Sequence, residues 1–267
     1  MTAVIADKST ELSTVSTGLS TMSPVSTGSG PKRKPRIGVI VFPGSNCDRD
    51  AGNAFVETEQ GDSVYLWHAD TSLQGVDAVI VPGGFSYGDA LRAGAIARFA
   101  PIMAEVAKFA EAGGLVAGVC NGFQILCEAG LLPGALIRNK GLRFVCRHVN
   151  LRVETTDSPY TSLYRQGEVL SIPIAHGEGC YTCDDATYAR LTAEDRILFR
   201  YCEPDGSLTP DANPNGSRDN IAGIVGGPKR NILGMMPHPE RAVSAALGSA
   251  DGSRLLAGVH NALSAAS

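Results

Sequence analysis

Four short apolar runs, each ended by a turn or a change of character, set the tightest limit on how this chain can fold. Ile37–Phe42 closes on Pro43-Gly-Ser-Asn46, and Ser63–His68 follows. Asp77–Val81 closes on Pro82-Gly-Gly84, and Gly114–Val119 closes on Cys120. Runs this short and this apolar read as strands buried in a sheet rather than as helices. The stretches between them carry helical spacing: 47–60, through Ala51, Ala54, Phe55 and Thr58; 89–112, interrupted at Pro101; and 121–129. Asn46 reads as the cap of the first helix. Strands alternating with helices through short loops predict an α/β fold, a mostly parallel sheet with helices on both faces. Such sheets carry their chemistry at the carboxyl ends of strands. Pro82-Gly-Gly84 and Val119-Cys120 mark two of those ends.

Composition narrows the function classes. With 43 % hydrophobic and 19 % charged residues, the 267-residue chain has the material for a core. Its 23 basic and 27 acidic side chains leave a net charge of −4, which argues against a nucleic-acid partner. No run of about 18 apolar residues offers a membrane span. Seven cysteines, at 47, 120, 127, 146, 180, 183 and 202, form no disulfide framework, and no secretory segment precedes them. A reducing, cytoplasmic setting follows. Residues 1–30 hold 13 Ser or Thr, with Val15-Ser-Thr-Gly18 echoed by Val25-Ser-Thr-Gly28. We read residues 1–35 as a disordered tail, Pro31–Arg36 as its solvated hinge, and 36–267 as one domain.

Gly118-Val-Cys120-Asn-Gly122 is the thiol counterpart of the nucleophile elbow, a sharp strand-to-helix turn that pushes a reactive side chain out of the sheet edge. The residues two before and two after must be small, since their Cβ atoms would collide across the turn. The sulfur then sits at a helix N-terminus, where free amides and the helix dipole stabilise negative charge. Cys47, Cys127 and Cys146 sit in no such turn and read as structural.

A nucleophile of this kind needs a base. His68 and His148 lie on strands and His260 on a C-terminal helix, positions that suit structural roles. His238 stands between Pro237 and Pro239 after the apolar run 231–236, with Glu240 two residues on. The carboxylate can hold one imidazole nitrogen and leave the other to take the thiol proton. His176-Gly-Glu178-Gly is a second polar cluster, either a functional loop or a hairpin turn. Asn213–Arg218 is a turn-rich loop that either orders near the active site or meets a partner.

Gly118–Leu126, which includes Gln124, together with Pro237-His238-Pro-Glu240 resembles the class I, or triad, glutamine amidotransferases. Val39–Asp48, Pro82–Asp89, Ala175–Gly179 and Asn213–Ser217 are similar to the glutaminase subunits of phosphoribosylformylglycinamidine synthase, over about residues 36–264. The resemblance implies a flavodoxin-like three-layer α/β fold. It implies hydrolysis of glutamine to glutamate through a Cys thioester. The ammonia would pass to a synthetase that makes phosphoribosylformylglycinamidine from phosphoribosylformylglycinamide in purine biosynthesis. It maps the nucleophile to Cys120, the base to His238 and the third member to Glu240. The oxyanion donors map to the backbone N–H groups of Gly84 or Phe85 and of Asn121, and Gln124 maps to the glutamine pocket. The implied partners are a synthetase subunit and a small accessory subunit. ATP and Mg²⁺ are expected on the synthetase and no cofactor in this chain, which carries neither a G-x-x-x-x-G-K-[ST] loop nor a G-x-G-x-x-G turn after a strand. No metal is expected: Cys180-x-x-Cys183, with His176 and Cys202 nearby in sequence, matches no common zinc spacing. Two other readings compete, a different triad amidotransferase or cysteine hydrolase, and a non-enzymatic metal-binding module on the same fold.

Overall fold

Residues 33–266 are described by a computed structural model. All of the expected tail except 33–35 lies outside them. The first strands form where the apolar runs predict: β1 (Arg36–Val41), β2 (Asp62–Trp67), β3 (Ala78–Val81) and β4 (Leu115–Val119). Between them come the helices α1 (Asp48–Glu57) and α2 (Pro101–Glu111), and α3 (Asn121–Glu128) follows β4. Downstream lie β5 (Ala135–Ile137), β6 (Val145–Val153), β7 (Val169–His176), β8 (Cys180–Thr182), α4 (Asp185–Ala193), β9 (Ile197–Cys202), β10 (Ile221–Gly226), β11 (Ile232–Met235) and α5 (Ser253–Ala266).

Nine strands make one sheet in the order β2-β1-β3-β4-β11-β10-β9-β6-β7. Its first five members run parallel. From β10 outward every pairing is antiparallel. The sheet is therefore mixed, with the inner strands β1, β3, β4 and β11 of its parallel half built from continuous apolar runs and β2 on its edge partly exposed. Side chains alternate across it. Ile37 and Val39 of β1 join the core beneath α1 and α5, while Ile40 joins the core beneath α2 and α3. Helices thus cover both faces.

Two local expectations are corrected. The stretch 89–112 is α-helical only from Pro101, after one 3₁₀ turn at Ala97–Phe99, because Tyr87, Asp89 and Leu91 sit at φ of 54°, 51° and 70° and Gly94 at 80°. Left-handed residues cannot continue a right-handed helix. The chain instead wraps close over α3, where a Cβ on Gly94 would lie 2.8 Å from Ile125 N. Asn46 caps nothing. Cys47 precedes α1 without a capping bond, and Asn46 Oδ1 instead accepts from Cys47 Sγ at 3.3 Å.

Candidate active site

Three neighbouring parallel strands end at one place. Val81 of β3 lies opposite Gly118 of β4, and Val119 lies opposite Met235 of β11, so the loops that follow open side by side. β4 delivers Cys120 at φ 52° and ψ −107°, a backbone conformation that costs on the order of 1–3 kcal/mol for a residue with a Cβ. The two glycines make the turn possible. A Cβ on Gly122 would lie 1.8 Å from Val81 O, and one on Gly118 would lie 2.7 Å from the Gly122 carbonyl carbon. The Cys120 amide donates to Met235 O at 2.8 Å, which pins the elbow to β11.

β11 delivers His238. Its amide donates to Pro173 O of β7 at 2.9 Å, and Glu240 Oε1 lies 2.6 Å from Nδ1. His238 is 1 % exposed and Glu240 6 %. Burial works against a charged imidazole here. The Glu240 carboxylate, and after it Cys120, outweighs burial and holds the His238 pKa well above the usual histidine value. Nε2 is buried and has no hydrogen-bond partner. Gly83 supplies the room: a Cβ there would stand 2.9 Å from His238 Cε1 and 3.4 Å from Cys120 Cβ. Two side chains far apart in sequence thus converge over one bare glycine. The Cys120 thiol itself rests on Ala175 O of β7, at 3.7 Å.

The candidate oxyanion donors divide cleanly. The Phe85 N–H is taken by Gly44 O at 3.0 Å, although Phe85 is among the residues that line the cavity. The Gly84 N–H meets no acceptor among the described residues. Gly84 has φ of 138°, and a Cβ on it would lie 2.6 Å from Asn46 N, so only glycine fits under the 43–46 turn. The Asn121 N–H, first in α3, has no carbonyl within its own helix to bind. The Asn121 side chain ties the surrounding loops together. Its Oδ1 accepts from Ser86 N at 3.1 Å and its Nδ2 donates to Gln124 Oε1 at 2.9 Å. Gln124 in turn donates to Glu178 O at 2.6 Å, joining α3 to the 176–179 loop.

These groups line a cavity of about 370 Å³, whose walls include Cys120, His238, Gly84, Gln124, Asp89 and Glu178. Burial, and then the charge of Glu178, lifts the Asp89 carboxyl to about 6. Two carboxyl groups thus line one cavity. His176 closes β7 as a buried framework group. Its Nδ1 meets Asn139 Oδ1 at 3.2 Å and its Nε2 meets Asn215 Nδ2 at 3.5 Å. Burial, and then the charge of His238, lowers the His176 pKa to about 4, so the ring is neutral near pH 7. The glycines around it are required by packing, since a Cβ on Gly179 would touch His176 Cε1 at 2.4 Å. Asn215 also donates to Gly179 O at 2.8 Å, which places the 213–218 loop against this one.

Three residues beside the site were given no role by the sequence. Asp89 stood inside a quoted motif without an assignment. Cys47, read as structural, is buried, and a Cβ on Gly83 would lie 3.1 Å from its sulfur. Arg241 Nη2 reaches Cys47 Sγ at 3.1 Å, and its Nε reaches Asp50 Oδ2 at 2.9 Å. One signal was available for Cys47: its turn ends β1, next to β3, on the same sheet edge as Pro82-Gly-Gly84. Cys180, Cys183, Cys202 and His176 form no group of converging metal-ligating atoms among the described residues. His68 accepts or donates at 2.6 Å with Tyr87 OH, and so braces the left-handed stretch beside the cavity. None of the described helices is long and apolar enough to cross a membrane.

Comparison with known proteins gives consistent matches. The family model of the CobB/CobQ-like glutamine amidotransferase domain matches residues 34–254. The phosphoribosylformylglycinamidine synthase subunit PurQ of Koribacter versatilis is 58 % identical over 220 residues, covering 82 % of this chain and 95 % of that protein. The PurQ subunit of Moorella thermoacetica is 59 % identical over 224 residues, covering 84 % and 94 %. Among solved structures, a chain of PurLQS from Thermotoga maritima aligns with a TM-score of 0.75 at 43 % identity, covering 86 % of this chain and 99 % of that one.

Proposed function

The chain belongs to the CobB/CobQ-like glutamine amidotransferases and, among them, to the PurQ subunits of phosphoribosylformylglycinamidine synthase, and from that membership we propose that Cys120, His238 and Glu240 perform its glutamine hydrolysis. As the glutaminase subunit, it supplies ammonia to a synthetase subunit in purine biosynthesis and assembles with that synthetase and a small accessory subunit.

The observation that carries the assignment of roles is the convergence of Cys120 and His238 over Gly83, with Glu240 on the far side of the ring. Glutamine enters with its side-chain amide toward Cys120. The sulfur attacks the carboxamide carbon, and the thiol proton passes to His238 Nε2. The carbonyl oxygen becomes an oxyanion facing the Gly84 and Asn121 amides. One such donor is typically worth about 2.7–4 kcal/mol. His238 then returns the proton to the leaving nitrogen, ammonia departs, and a thioester remains. Water, deprotonated by His238, attacks the thioester and releases glutamate. Glu240 holds Nδ1–H throughout, so that Nε2 is the nitrogen that exchanges protons. Gln124 fixes the pocket wall through Glu178, and Asp89 and Glu178 offer negative charge to the α-ammonium group of the substrate.

The proposal extends to residues 36–267 as the amidotransferase domain behind a 35-residue tail, to a cytoplasmic location, and to ATP and Mg²⁺ acting on the synthetase subunit alone. The test is ammonia and glutamate release by the assembled complex. Cys120→Ala is expected to lower glutaminase activity at least about a thousandfold while leaving synthesis from added ammonium salt intact. Retained glutamine-dependent activity would overturn the assignment.

A further inference from the structure

Cys47 has no part in the hydrolysis just described, yet it stands inside the wall of the triad. Its Sγ, an imidazole nitrogen of His238 and a carboxylate oxygen of Glu240 lie within 4.8 Å of one another, and all three residues are buried. His238 Nε2 and Glu240 Oε2 both lack a hydrogen-bond partner. Buried polar atoms without partners are rare and call for an explanation. A thiol, an imidazole and a carboxylate form the donor set of a borderline-soft divalent cation. The Arg241 guanidinium, 3.1 Å from the sulfur, is balanced by Asp50 at 2.9 Å.

We propose that Cys47 and His238 form an inhibitory zinc site that overlaps the triad. The ion takes Cys47 Sγ and His238 Nε2 as its inner protein ligands, the protons on the Cys47 thiol and on Nε2 leave to solvent, and water fills the remaining positions. Glu240, bonded through Nδ1, stands behind the ring as the outer carboxylate that commonly fixes a metal-bound histidine. With its Nε2 lone pair on zinc, His238 cannot accept the proton of Cys120, and glutamine hydrolysis stops. Only protons are exchanged for the ion and no covalent bond to carbon changes, so removal of the ion restores the enzyme. The inhibitory effect rests on His238 as base. The metal site itself is tested without activity.

The assembled complex is titrated with zinc chloride, and glutamine-dependent ammonia release is followed. Activity is expected to fall at least tenfold and to return when EDTA is added. Cys47→Ser, with basal activity within about threefold of the native complex, is expected to raise the half-inhibitory zinc concentration at least tenfold. In parallel, the Cys120→Ser chain, which cannot hydrolyse glutamine, is titrated with cobalt(II). A sulfur-to-cobalt charge-transfer band is expected in the near ultraviolet, and it is expected to vanish on adding either Cys47→Ser or His238→Ala. Equal zinc sensitivity of the native and Cys47→Ser complexes overturns the proposal, as does a cobalt band that survives both substitutions. If circular dichroism shows that Cys47→Ser does not fold, the His238→Ala arm decides alone. Should the hydrolysis assignment fail instead, Cys120→Ala keeps its glutamine-dependent activity while the cobalt result still stands.

Discussion

The two halves of the sheet serve the active site by different means. The parallel half contributes reacting groups through backbone geometry. Cys120 and His238 each follow the last residue of a buried strand by three positions or fewer, and both are held by main-chain hydrogen bonds, Cys120 N to Met235 O and His238 N to Pro173 O. The antiparallel half contributes walls, and it does so through side-chain amides: Asn139 and Asn215 grip His176 and Gly179, and Gln124 reaches across to Glu178. Reacting atoms must be placed to a few tenths of an ångström, which a strand end in register achieves. A pocket wall tolerates more slack, and a network of amides shares the load.

If this division holds, single changes in the first half should be catastrophic and changes in the second graded. The largest effect is expected for Glu240→Gln. It keeps the shape but leaves Nδ1 facing a group that no longer demands its proton, and glutaminase kcat should drop about 10⁴-fold, as in other triads that lose their carboxylate. A drop of less than tenfold would show that His238 is oriented by its prolines alone. Next comes Gly122→Ala. The added methyl meets Val81 O at 1.8 Å, so α3 must lift from β3. We expect about 4 kcal/mol lost in urea unfolding, at the upper end for a point mutation.

Much of the first half was legible in the sequence, because strands buried on both faces are apolar throughout and the elbow glycines sit at fixed offsets from Cys120. The second half was not. β6 and β7 alternate buried and exposed positions in part, and nothing local tells which neighbour they take. The 89–112 stretch misled for a physical reason: its helical spacing is real only beyond Pro101, and the left-handed residues before it are held by contacts with His68 and α3. Cys47 and Arg241 were invisible as a pair because 194 positions separate them. The 176–179 and 213–218 loops stand out in the sequence as motifs, and only the fold shows that they bind each other.

His176 gives a graded test in the antiparallel half. The unfolded chain protonates this side chain near 6.5, and the buried ring resists until about 4. Between those values the unfolded state binds the extra proton, so stability falls as pH falls, by up to about 3 kcal/mol. His176→Gln should remove that part of the slope in unfolding curves taken from pH 7 to pH 4. A slope unchanged by the substitution would place the charge uptake elsewhere.

The smallest effect is expected where the halves meet. Asp89, from the loop after β3, faces Glu178, from the loop after β7. Asp89→Asn should raise KM for glutamine about tenfold, about 1.4 kcal/mol, with kcat within about twofold. Its contribution to stability runs opposite to that of His176. The folded carboxyl takes its proton near 6, before the unfolded one near 3.8, so the fold gains as pH falls through that window and the Asn variant should lose the gain. An unchanged KM would remove Asp89 from substrate recognition.

In the resting chain the Cys120 sulfur faces a carbonyl of β7 while the accepting nitrogen of His238 stays bare. A thiol is a weak donor, so little stands between this sulfur and an incoming amide.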